Sequence, residues 1–125
     1  MDTNSFNNPN TDEEIILARR SQELEVWISH LNYVTDESDQ LAKIASNKLG
    51  DKALRDQLLE KAEQNTVILN EMHNYKSSIE KYNECDDLEC DIYYVNLHDT
   101  YSAKYLRHLE AYRAIKNQVF AKLLQ

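Results

Sequence analysis

One glycine, Gly50, and one proline, Pro9, are the only residues of their kinds in 125 positions. Glycine and proline are the strongest punctuators of chain direction. A chain almost without them has few places to turn, so it folds as long uninterrupted elements. Those elements are helical, because apolar residues recur at three- and four-residue spacings from Leu17 to Leu123.

The first helix has a start signal in Thr11 and Glu14, spaced as a capping box, with Asp12 and Glu13 suiting the positive helix end. Leu17, Leu24 and Leu31 follow at sevens, with Trp27, Val34 and Leu41 between them. Gly50 supplies a left-handed C-cap and Asp51 a cap for the next helix. The second stripe is Leu54, Leu58, Ile68, Met72, Tyr75, Ile79 and Tyr82. The third is Leu88, Ile92, Val95, Leu106, Leu109, Tyr112, Val119 and Leu123. The pattern predicts helices over 12–49, 52–85 and 88–124, each about 50–57 Å long, after a disordered tail at 1–10. Near-equal lengths fit an all-α, antiparallel up-down-up three-helix bundle of coiled-coil character, in one domain. The polar run Thr35–Asp39 offers an alternative break and a fourth helix. Continuity is preferred because the stripe resumes in phase at Leu41.

Trp27 and Leu31, with the closing run Leu109, Tyr112, Ile115, Lys116, Val119 and Phe120, resemble small uncharacterised bacterial three-helix proteins. The resemblance covers most of the chain through helical spacing. It implies the fold and no activity.

Charge narrows the partners. The net charge of −8 argues against nucleic acid, which needs clustered Lys and Arg, and against anionic membrane surfaces. No apolar run approaches the ~20 residues of a membrane span, and the N-terminus has no signal-peptide pattern. A cytoplasmic location is expected. Charge is unevenly spread. Segments 11–25 and 76–91, at one end of the bundle, hold eleven acids and four bases. Segments 43–61 and 113–125, at the other, hold three acids and eight bases. The resulting basic end, with Lys48, Lys52, Arg55, Arg113 and Lys116, could steer an anionic partner or support end-to-end association.

Mirroring the helices about their turns puts His30, His73 and His98 at one height, one per helix. Such a layer is the geometry of a metal or small-ligand site. Against it, no Glu-x-x-His occurs, and His30 and His73 flank the stripe. No cofactor is expected. A second level joins Ser38, Asn65 and His108, with Asn65 standing where a large apolar residue belongs, as register-setting polar core residues do. Cys85 and Cys90 flank the second turn without further zinc ligands, and two free thiols are expected. Tyr94, Tyr101, Tyr105 and Tyr112 line one face of the third helix. They either close the core edge with hydroxyls in water or form a recognition surface. No phosphate loop or nucleophile elbow is present. The expected function is that of a non-catalytic interaction or adaptor protein, binding a protein partner or a second copy of itself. A bundle binding metal or a small ligand through the His layer is the alternative.

Overall fold

The computed structural model describes residues 12–79 and 87–125, and within them the chain is three helices with no strand. Helix α1 spans Asp12–Asn47, α2 Lys52–Ile79 and α3 Leu88–Leu123. They form the antiparallel up-down-up bundle that the spacing predicts. Helix α1 ends two residues earlier than position 49 and α3 one residue earlier than 124. The expected tail at 1–10 and the expected end of the second helix at 85 lie outside the described residues.

Three side-chain hydrogen bonds fix the register of α1 against α3. His30–Tyr105, Glu23–His98 and Glu37–Tyr112 each link residues 75 positions apart. A constant offset is what two parallel helices of equal rise require.

The first turn is built as the sequence suggests. Gly50 adopts φ 61°, and the Asp51 N–H reaches back to the Ala45 carbonyl at 2.8 Å, closing the helix end. The Asp51 carboxylate then accepts from the Leu54 N–H at 3.0 Å, capping α2. Its other oxygen takes Lys122 from the last turn of α3. That ion pair and the cap bond to Leu54 hold the Asp51 carboxyl below the usual range. At the far end Asp87 caps α3, accepting from the Cys90 N–H at 2.8 Å.

Helix α1 runs unbroken through Thr35–Asp39. The Thr35 hydroxyl donates to the Leu31 carbonyl at 3.2 Å and Ser38 donates to the Thr35 carbonyl at 3.1 Å. Both hydroxyls are satisfied within the helix, so the polar run does not need a break.

The core takes the predicted stripes of α1 and α2: Leu24, Leu31, Leu58 and Met72 are almost wholly enclosed, and Trp27 is buried. Helix α3 departs from expectation. Leu88, Ile92, Val95, Leu106 and Leu123, expected inside, are exposed, Leu88 at 72% and Leu106 at 55%. The buried face is instead Tyr94, His98, Tyr105, His108, Leu109, Tyr112 and Val119. Helix α3 carries two apolar stripes. The one whose hydroxyls and imidazoles find partners on α1 and α2 is turned inward, because a buried polar tip is tolerated only when bonded.

Candidate functional site

The inward tips of α3 form three polar layers. In the first, His98 bridges α1 and α2. Its Nε2–H donates to the Glu23 carboxylate at 2.9 Å, and its Nδ1 meets the Tyr75 hydroxyl at 2.6 Å. Trp27 stacks on His98 and on Tyr105, with centroids 5.0 and 5.4 Å away. Tyr75 stacks on Tyr101 at 4.8 Å. Burial pushes the Tyr75 hydroxyl up to about 12 and raises that of Tyr105, so both stay protonated at neutral pH.

The second layer centres on Asn65, wholly buried. Its Nδ2 donates to the Leu31 carbonyl at 2.8 Å and to Thr35 Oγ1 at 2.9 Å. His108 Nε2 lies 2.8 Å from the Asn65 Oδ1. An amide oxygen only accepts, so this nitrogen carries the proton. Burial, then the charge of Lys61, pushes His108 down to about 4, which leaves a neutral imidazole.

The third layer gathers on Glu37, which receives the Tyr112 and Tyr33 hydroxyls and, at 2.8 Å, Lys116. Burial pushes the carboxyl upward, but the bonds from Lys116, Tyr112 and Tyr33 outweigh it and hold Glu37 below the ordinary carboxylate range. Tyr112 is raised well above the phenol range by burial and by its bond to that carboxylate.

The chain Glu23–His98–Tyr75 has the order carboxylate, imidazole, hydroxyl that activates nucleophiles elsewhere. Here the hydroxyl belongs to a residue only 2% exposed. The neighbouring hollow, against Arg19, Gln22, Glu23 and Val26, lies on α1 beside Glu23 and not beside Tyr75. The three groups link α1, α2 and α3.

The expected His layer is not assembled. His98 is committed to Glu23 and Tyr75, His30 meets Tyr105 at 2.8 Å, and His73 is exposed. Among the described residues no three His, Cys, Asp or Glu side chains are grouped to hold a metal ion. Of the two readings of the tyrosine face, burial favours the core one. Tyr94, Tyr105 and Tyr112 are buried and Tyr101 is half-buried, so these rings are core rather than an open recognition surface. The level of Asn65 and His108 is as expected. Ser38 is buried at that height but bonds within its own helix.

The basic residues do not share one tip. Lys48 and Lys52 are exposed beside the Gly50 turn, and Arg55 pairs with Asp56 at 2.9 Å. A shallow groove of about 200 Å³ beside them is lined by Asp39, Lys43, Arg55 and Leu59 among others. Arg113 is exposed farther down α3, and Lys116 is drawn to Glu37, about 20 Å below that turn. Cys90 is in a disulfide, which corrects the expectation of two free thiols. Cys85, the other cysteine of the sequence, lies outside the described residues.

Sequence reasoning did not find Glu23 and Tyr75 as partners of His98. The offset that joins His30 to Tyr105 also joins Glu23 to His98, but it is visible only in the folded chain. What remains without a partner is the outer face of α3. Seven of the fourteen exposed large apolar residues among the described ones belong to that helix, and Leu124 at its C-cap is an eighth. No protein-family model, curated protein or solved structure matches the chain.

Proposed function

We propose that this chain is a non-catalytic helical interaction module, an adaptor that binds a protein partner through the outer face of α3. The observation that carries the reading is the second apolar stripe of α3, left exposed at Leu88, Ile92, Val95, Leu106 and Phe120. Scattered exposed apolar residues are ordinary, but these lie along one line of a single helix, interspersed with polar residues, which suits a facing helix. The buried polar groups support the same reading from the other side. Asn65, His98 and His108 are all bonded to neighbouring helices.

No helix among the described residues is long and apolar enough to cross a membrane. The disulfide at Cys90 favours an oxidising compartment over the cytoplasm expected from the sequence, since disulfides rarely persist in a reducing one.

The test is capture of partners from native extract by the immobilised full chain and by its Ile92→Asp/Leu106→Asp variant. Proteins held by the wild type and released by the variant support the reading. Equal capture by both, with both folded by circular dichroism, overturns it.

A further inference from the structure

Resting on that reading, the geometry points to the occupant of the outer face of α3: a second copy of this chain, packed antiparallel about a two-fold axis at Leu106.

Position along the helix comes first. At 3.6 residues per turn, Leu88, Leu106 and Leu124 lie about five turns apart on one line. Ile92, Val95, Asp99, Arg113 and Phe120 fall within about 40° of that line. All of them are exposed. A stripe this narrow suits a single facing helix better than a broad surface.

Charge then selects the direction. Along the stripe Asp99 comes before Leu106 and Arg113 comes after it, at equal distance, with a second acid, Glu110, between Leu106 and Arg113. The salt bridges of α3 to the rest of the chain use His98, Lys104, Lys116 and Lys122 and leave Asp99 and Arg113 outside. In a parallel pair Asp99 would face Asp99 and Arg113 would face Arg113, which is repulsive twice over. In an antiparallel pair centred on Leu106, each Asp99 faces Arg113 of the other copy. The same axis sets Leu106 on Leu106, Ile92 on Phe120 and Leu88 on Leu124. Four kinds of position are thus matched by one axis, as an isologous contact requires.

Neighbouring registers fail. Sliding one copy by a heptad in either direction sets Leu106 against a charge, Asp99 one way and Arg113 the other. It would bury ionised groups against apolar ones. The register is therefore specified as well as the direction.

Size sets the strength. A strip about 54 Å long and ~10 Å wide offers roughly 500 Å² per copy. The two together come to roughly 1,000 Å², the lower bound for a specific interface. Val95 would meet Asn117, and Ser102 would meet Glu110, so part of the strip adds no apolar burial. An interface of that size belongs with reversible dimers rather than obligate ones.

The experiment is sedimentation equilibrium of the full chain from about 1 μM to about 1 mM, with a non-reducing gel to exclude intermolecular disulfides. The wild type is expected to dimerise across that range. Leu106→Asp, which sets two carboxylates together on the axis, should remain monomeric throughout. Arg113→Asp should weaken association about 10-fold or more, and the swap Asp99→Arg/Arg113→Asp should recover it to within about 3-fold. These positions are exposed, and circular dichroism checks that each variant is folded. A wild type that stays monomeric at about 1 mM overturns the inference. So does a dimer indifferent to Leu106→Asp, or a swap that recovers nothing. Monomeric wild type would leave the interaction-module reading standing, because that reading falls only if the stripe variant captures the same proteins from extract.

Discussion

His108 is 5% exposed and bonded to Asn65, and its burial makes it a poor place for a charge. The unfolded chain takes up this proton near the ordinary pKa of 6.5, the folded chain only near about 4. Between those values the unfolded state binds more protons. Stability that is fully present above pH 6.5 is therefore lost as pH falls toward about 4, and no more is lost through this group below that. The loss should amount to roughly 3 kcal/mol. Urea unfolding across that range should show the slope in the wild type, and His108→Gln, which keeps a donor for Asn65, should flatten it. Glu37, held below the ordinary carboxylate range, acts in the same direction but at lower pH. The pairing of Asn65 with His108 was legible in the sequence, since an amide in an apolar series needs a partner at its own height. The Glu23–His98–Tyr75 chain was not. Which of several polar neighbours an imidazole selects depends on side-chain direction around the helix, and spacing along it is silent on that.

The turn after α1 and the starts of α2 and α3 were legible because the signals are local: one glycine in a left-handed turn, one aspartate capping α2 and another capping α3. The rotation of α3 was not legible. Leu88, Ile92, Val95 and Leu106 form as regular a stripe as Tyr94, Tyr105, Tyr112 and Val119, and periodicity alone ranks the aliphatic one higher. The choice was made by hydrogen bonds to α1 and α2 that no single helix displays. The turn after α1 allows a sharp check on the local signals. Gly50 has φ 61°, and a Cβ placed there meets nothing within 4 Å. Gly50→Ala should therefore cost only the backbone strain of a left-handed L-residue, about 1–2 kcal/mol. Thermal unfolding measures it, and a much larger cost would mean the turn is closed more tightly than the open space around Gly50 suggests.

Charge acts on the assembled bundle through position more than through number. Lys52 stands exposed at the start of α2, whereas Lys116 spans α1 and α3 through Glu37, its side chain 28% exposed. Lys52→Glu should change stability by no more than about 0.5 kcal/mol. Lys116→Glu sets two carboxylates together in a half-buried layer and should cost about 1–3 kcal/mol. Denaturant titration of the two variants compares them directly, and equal effects would show that the Glu37 layer contributes nothing. The fixed offset of 75 residues between α1 and α3 has a consequence for how such a chain can change in length. One residue added within α2 would advance everything after it by about 100° and 1.5 Å, and all three of those bonds would be lost together. Within the helices, insertions and deletions keep those bonds only as matched sets, a heptad from each helix at the same height. The helices are rulers clipped together at common marks, and their register is as much a specified property as their apolar pattern.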